Sequence, residues 1–271
     1  MASKGPVFVS PACRDVDTAL PELTITPLPG LPSIEPGDDL ADIILGGLMR
    51  AGLALHAGDA LVITSKIVSK AEGRIVELAD VTPSVEAERL AHVTGKDPRI
   101  VELVLRESVA VSRAAPGVLV TRHRLGFTAA NAGVDQSNLA RGEERALLLP
   151  LDPDGSAQAL RACLHQRTGV APAVVVSDSQ GRPFRLGGVG VALGVAGMPA
   201  LVDLRGQADL FGRRLKITLQ AYADLVASAA QLVSGEAAEG WPVALLRGLR
   251  FAAGEGRASD LYRPPEHDLY G

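Results

Sequence analysis

The apolar positions of this chain fall in short runs, parted by glycine, proline and acidic clusters. Residues 23–26 alternate like a short strand, which Pro27 closes. Residues 36–39, Pro-Gly-Asp-Asp, supply a carboxylate N-cap for a helix whose apolar positions keep helical period over 40–49. The run 60–64 predicts a strand. Amphipathic helices follow at 84–93 and 98–107, then short strands at 109–112, 117–123 and 125–130. Residues 146–149 read as a buried strand. Residues 152–156 form a turn whose aspartates cap a helix over 157–168, and 173–176 form another buried strand. A long Ala- and Leu-rich helix is expected over 217–233 and a final strand over 242–247. The pattern is one of mixed strands and helices.

The segments that follow the strands carry the candidate chemistry. Strand 125–130 runs into Asn-Ala-Gly-Val-Asp-Gln-Ser-Asn at 131–138. Asp135 and Asn138 are close enough to aim at one cavity. A carboxylate and amides on a tight loop suit a hard cation and the phosphate oxygens it carries. An Asx-turn that satisfies only local backbone is the alternative. Strand 60–64 ends in Ser65, Lys66, Ser69 and Lys70, then Glu72-Gly73-Arg74. Hydroxyls and lysines beyond the carboxyl end of a strand suit a phosphate chain. The alternative there is a solvated strand with outward lysines. Strand 173–176 ends in Ser177-Asp178-Ser179-Gln180-Gly181-Arg182, with Arg185 just beyond, and reads otherwise as a polar turn. Helix 217–233 ends at the turn 234–240, where Glu236 and Glu239 oppose the helix dipole unless a cation offsets them.

Other signals are negative. No Walker motif is present, and Gly188, Gly190 and Gly194 miss the dinucleotide fingerprint by one residue, so the stretch 187–197 reads as glycines that allow close packing. His123, between Arg122 and Arg124, reads as a surface residue, and no histidines stand at metal-ligand spacing.

Composition narrows the class. Of the 271 residues 47% are hydrophobic but only 3% aromatic, so the core must be aliphatic. A net charge of −4 and a pI near 5.8 argue against a general nucleic-acid or membrane-surface binder. Cys13 and Cys163 make neither a disulfide framework nor a zinc site. No signal peptide or membrane-length apolar run is visible, and a cytoplasmic protein is expected. Residues 1–21 read as an N-terminal extension, 22–263 as the domain and 264–271 as a C-terminal tail.

The chain resembles the F420-0 gamma-glutamyl ligase (coenzyme F420-0:L-glutamate ligase) family. The motifs run Gly-Leu-Pro-x-Ile at 30–34, Glu-Pro-Gly-Asp-Asp-Leu at 35–40, Ser-Lys-Ala-Glu-Gly-Arg at 69–74, and the whole of 131–138. They continue with Leu-Asp-Pro-Asp-Gly-Ser at 151–156, Ser-Asp-Ser-x-Gly-Arg at 177–182, Gly-Glu at 235–236 and Arg-Gly-Leu at 247–249. The resemblance implies an α+β fold that forms an intertwined homodimer. It implies a GTP-dependent ligase that joins L-glutamate to the lactyl carboxylate of F420-0 through an acyl phosphate, releases GDP and phosphate, and can add further gamma-linked glutamates. Asp135, Asp178 and Glu236 would be the catalytic acids. Asp135 and Asp178 would hold one divalent ion, with Ser179 and Glu236 near a second. Magnesium or manganese would fill both, with potassium as a further candidate cation. GTP would contact Leu31, Pro32, Ser33, Ile34, Ser65, Lys66, Lys70, Asn138, Ser234, Gly235, Ala237, Ala238, Glu239, Gly240 and Trp241. Arg182 and Arg185 are the candidates for the acceptor's anionic groups. Lys66 stands where the family often carries a hydroxyl, and Ala237 and Ala238 stand where it often has glycines or an acid. The flavin domain fused to some relatives is not expected. The other readings are a relative that ligates a different carboxylate and a nucleotide-binding protein without turnover.

Overall fold

The computed structural model describes residues 21–139, 144–252 and 254–267. The expected extension, apart from residue 21, and the last four residues of the tail lie outside them. Five strands form the main sheet: β1 (Thr24–Pro27), β2 (Ala60–Thr64), β8 (Ala173–Arg182), β9 (Arg185–Ala196) and β12 (Val243–Arg247), in the order β1-β12-β2-β8-β9. Only β2 and β8 pair in parallel. Their sequences, Ala-Leu-Val-Ile and Ala-Val-Val-Val, are unbroken apolar runs because both faces are covered. On one face, Leu61, Ile63, Val174 and Val176 pack against α1 (Leu40–Arg50), α2 (Ser65–Ala71) and α5 (Pro153–Thr168). On the other, Val62 and Val175 pack against the alanines of α6 (Tyr222–Ser234).

Strand β9 is an edge strand whose open side is covered by helix side chains. Asp224 of α6 accepts from the Ala192 N–H at 2.9 Å, Asp154 of α5 accepts from the Val195 N–H at 2.8 Å, and Ser228 donates to the Gly190 carbonyl at 2.7 Å. An edge so covered has few free donors left to recruit another strand. The approach is close enough that a methyl group at 194 would collide with the Pro153 carbonyl. The glycine-rich stretch therefore packs closely, as expected, but as a strand. Burial raises the Asp154 and Asp224 pKa values, and both carboxylates are spent on backbone donors.

A second layer surrounds Leu90, Val101, Val104, Leu119 and Ala146. It comprises β3 (Ile75–Glu77), α3 (Val85–Thr94), α4 (Pro98–Arg106), β4 (Ser108–Ala115), β5 (Val118–His123), β6 (Thr128–Ala130) and β7 (Arg145–Leu147). The remaining pair, β10 (Leu201–Asp203) and β11 (Leu219–Ala221), frames the segment 204–218. No helix among the described residues is long and apolar enough to cross a membrane.

Four expectations change. Residues 65–71 form a helix, because Ile67, Val68 and Ala71 recur at helical spacing against the core. Residues 177–182 are the outer half of β8, since β9 pairs with them up to Arg182. The long helix begins at Tyr222, because residues 219–221 pair with β10. His123 is wholly buried rather than on the surface. Its ring stacks on Phe127, its Nδ1 accepts from the Leu125 N–H, and its Nε2 lies 3.5 Å from Glu107.

Glu107 is the ionic centre of this layer. It accepts from Arg74 at 2.9 Å and from Arg124 at 3.1 Å, and Arg74 also donates to the Leu149 carbonyl. Burial alone would raise the Glu107 pKa, but His123, Arg74 and Arg124 outweigh it and hold the carboxyl at about 2. A depressed carboxyl contributes stability above its unfolded pKa near 4.5, and loses it as pH falls toward 2. Glu107→Gln should therefore cost about 2–3 kcal/mol at pH 7 by urea denaturation, a difference that shrinks toward pH 2. A pH-independent loss would show that shape alone matters at this position.

Candidate active site

Parallel pairing sets the carboxyl end of β2 beside the middle of β8, with Thr64 opposite Ser177. Helix α2 starts at once from β2, and its spacing places Lys66 and Lys70 on one face. On β8 successive side chains alternate between faces. Asp178 shares the face of Val174 and Val176 and accepts from Ser65 Oγ at 3.1 Å. Ser179 takes the opposite face, where it donates to Glu236 at 2.7 Å and accepts from Gln231 Nε2 at 2.9 Å. A register shift between Val176 and Ser177 gives β9 one extra residue, Leu193, beside this point. Such bulges re-aim the strand next to a site.

Asp135 arrives from the second layer on a costly piece of backbone. Asn131, Ala132 and Gly133 have φ of +53°, +49° and +68° in succession. Left-handed conformation costs a non-glycine residue roughly 1–2 kcal/mol, so this turn is held by its surroundings. Any side chain at Gly133 would strike Leu149. The Asp135 backbone then exchanges hydrogen bonds with Leu147 at 3.0 and 2.8 Å. Its carboxylate accepts from the Ser137 N–H at 2.7 Å and from Ser137 Oγ at 2.9 Å. The local Asx-turn is thus real, yet Asp135 Oδ2 also meets Lys66 Nζ at 2.6 Å. Lys70 donates to the Asn138 carbonyl at 3.0 Å.

These elements enclose one cleft of about 680 Å³. It is bordered by residues 31–34 on one side and the turn 234–241 on another. Asp135, Asp178, Ser179, Glu236, Ser65, Lys66, Lys70 and Asn138 all line it. Arg182 and Arg185 do not. Arg182 donates to the Leu186 carbonyl at 3.2 Å and ties off its own hairpin. Ser69 also turns away, buried beneath α2. Ser137 and Gln231 are among the lining residues that the sequence reading did not name as site candidates. Ser137 stands inside the loop motif and was legible there. Gln231 is one turn before the end of an Ala-rich helix, and only the tertiary contact with Ser179 marks it.

The electrostatics divide the two aspartates. Burial raises Asp178 and the charge of Asp135 adds to it, against the Ser65 hydrogen bond, leaving the carboxyl at about 6. Burial also acts on Asp135, but the Lys66 hydrogen bond and the Ser137 N–H hold it below the usual carboxylate value. Burial and the neighbouring Lys66 lower the Lys70 pKa. Among the described residues no three His, Cys, Asp or Glu side chains converge. The available donors are hard oxygens: Asp135, Asp178 and Ser65 on one side of β8, Glu236 and Ser179 on the other. That sparse set fits magnesium or manganese, which keep water and take substrate phosphate oxygens, and does not fit a closed zinc site.

Comparison with known proteins agrees with this geometry in extent. The F420-0:gamma-glutamyl ligase family model matches residues 30–248, which include every lining residue of the cleft. The coenzyme F420:L-glutamate ligase of Methanopyrus kandleri is 46% identical over 256 residues, covering 93% of this chain and 98% of the relative. That of Methanothermobacter thermautotrophicus is 46% identical over 243 residues, covering 89% and 96%. That of Archaeoglobus fulgidus is 42% identical over 245 residues, covering 90% and 95%.

Two outcomes follow from the site's physics. A carboxyl whose pKa is higher folded than unfolded takes up protons on folding, so stability falls as pH rises from about 4 to 6 and stays lower above that. Asp178→Asn keeps the Ser65 acceptor and removes the charge. It should raise stability at pH 7 by about 1–3 kcal/mol, with no gain at pH 4. A less stable variant at pH 7 would contradict the buried-charge account. Gly133→Ala should cost about 2 kcal/mol or more by the same urea measurement, and an unchanged midpoint would mean the turn is not strained.

Proposed function

The chain belongs to the F420-0:gamma-glutamyl ligase family, and from that premise we propose that it joins L-glutamate to coenzyme F420-0 at the expense of GTP. The new bond is an amide to the lactyl carboxylate, and further glutamates are added through gamma-linkages. The observation that carries this reading is the convergence of Asp135, Asp178, Glu236, Lys66 and Lys70 on one cleft from separate elements.

A carboxylate and an amine in water form a salt, so the acid must first be activated. The F420-0 carboxylate attacks the γ-phosphorus of GTP, the bond to the β-phosphate oxygen breaks, and GDP leaves. The glutamate amine, having lost a proton, attacks the acyl carbon, and inorganic phosphate departs with the former carboxylate oxygen. Magnesium or manganese, held at Asp135 with Asp178 and at Glu236 with Ser179, would neutralise charge on the transferring phosphoryl group. Ser65 orients Asp178, and Gln231 orients Ser179 toward Glu236. Lys66 and Lys70 supply positive charge on the α2 face. Leu31, Pro32, Ile34, Trp241 and Pro242 line the cleft and offer apolar surface for a purine ring. Ser33, Asn138 and residues 234–240 supply polar and backbone contacts. Potassium is a further candidate cation, and use of GTP implies a cytoplasmic enzyme.

We also propose the intertwined homodimer. Leu210 and Phe211 on the segment 204–218 are 98% and 95% exposed, and Phe184 and Leu186 at the β8–β9 turn are 91% and 99% exposed. Large apolar side chains on projecting segments suit burial by a second copy. Arg182 and Arg185 flank that hairpin turn, outside the lining of the cleft.

Mass spectrometry of F420-0 incubated with the protein, L-glutamate, GTP and manganese should show a gain of one or more glutamyl units with matching GDP release. Asp135→Ala, folded by circular dichroism, should lose about a hundredfold or more of that turnover. Inert F420-0 alongside consumption of another acid would move the acceptor assignment. Full activity in Asp135→Ala would remove Asp135 from the site.

A further inference from the structure

Lys66 is bound to the site more completely than a lysine awaiting phosphate needs to be. An ammonium has three donors. Those of Lys66 meet Asp135 Oδ2 at 2.6 Å, Ser137 Oγ at 2.7 Å and the Ser137 carbonyl at 3.0 Å. Its stem is fixed by α2, where Ile67 and Val68 are buried beside it. Its charge also reaches Asp178. One ammonium therefore offsets part of the charge of the two carboxylates assigned to the first divalent ion, and it occupies Asp135 Oδ2. An ammonium and a dication on the same oxygen are like charges at close range and repel each other.

We propose that Lys66 is a resident cation of this site: it competes with the divalent ion for Asp135 and yields when phosphate oxygens take up its ammonium. The inference rests on the metal assignment of Asp135 made above. Its consequence is an order of events. The nucleotide-free protein takes up metal weakly at Asp135, and the ion is loaded together with the triphosphate. Lys66 is thus a positioning residue that couples the two bindings, and such couplings are reciprocal.

The test is a titration of the full-length, nucleotide-free protein with manganese, following loss of the free-ion electron paramagnetic resonance signal. Lys66→Ser and Lys66→Met should bind manganese at one site on the order of tenfold more tightly than the wild type. Adding Asp135→Asn to either should abolish the gain. Lys66→Met keeps the apolar stem, so it serves if the serine variant folds poorly. Binding equal to or weaker than wild type in a folded variant would overturn the proposal and leave Lys66 as a tether of the 135–137 loop. The metal assignment fails separately. If Asp135→Asn binds manganese as the wild type does even with GTP present, Asp135 is not a ligand and the competition has no object.

Discussion

The parallel pairing of β2 with β8 is the constraint on which this structure depends. It sets the end of β2 against the middle of β8, so the helix that follows β2 starts beside the residues by which β8 runs past it. Here β2 delivers α2 with its lysines, and β8 delivers Asp178 and Ser179. The alternation of side chains along β8 then splits that delivery. Asp178 goes to the α2 side and Ser179 to the α6 side, so one stretch of strand serves two sets of oxygen donors. The antiparallel neighbours carry no such chemistry. Strands β12 and β1 extend the sheet, and β9 closes it with its edge covered by Asp154 and Asp224.

The second layer holds Asp135 beside this edge. That demands a backbone that ordinary residues resist, with consecutive left-handed residues at 131–133. The cost is met by packing. Ala132 is buried in the core of the layer, Gly133 lies under Leu149, and Asp135 is clasped to Leu147. Arg74 ties the two layers together. It follows directly on α2, and it reaches both the Leu149 carbonyl and Glu107. The ionic cluster at Glu107 and the strained turn are parts of one support, which fixes the 135–138 loop relative to α2.

Charge balance governs the site itself. Two carboxylates facing a shared space disfavour each other's ionisation. Burial, with the charge of Asp135 adding to it, raises Asp178 to about 6, while Asp135 has an ammonium partner. In the cleft the protein's own lysine compensates the charge of Asp135. The turn 234–240 is arranged similarly. Glu239 accepts from the Ala237 N–H at 2.8 Å, using a backbone donor that faces the same space.

Much of this was written in the sequence. Unbroken apolar runs marked β2 and β8, because a strand buried on both faces has no polar alternation. Caps marked α1, α3 and α4, because their partners lie within a turn of chain. The polar residues after each strand marked Asp135, Asp178, Lys66 and Lys70 as candidates, since nothing in a core requires them. What the sequence left open all depends on distant partners. Residues 177–182 look like a turn until β9 pairs with them, His123 looks exposed until Phe127 and Glu107 enclose it, and Arg182 looks available until it turns back to donate to its own hairpin. Gln231 carries no local signal at all. Local periodicity and capping are properties of neighbours along the chain, so the sequence by itself determined the elements and the chemical inventory. Register, burial and charge pairing join residues far apart in the chain, as Lys66 meets Asp135 and Ser65 meets Asp178, and only the tertiary structure decided those.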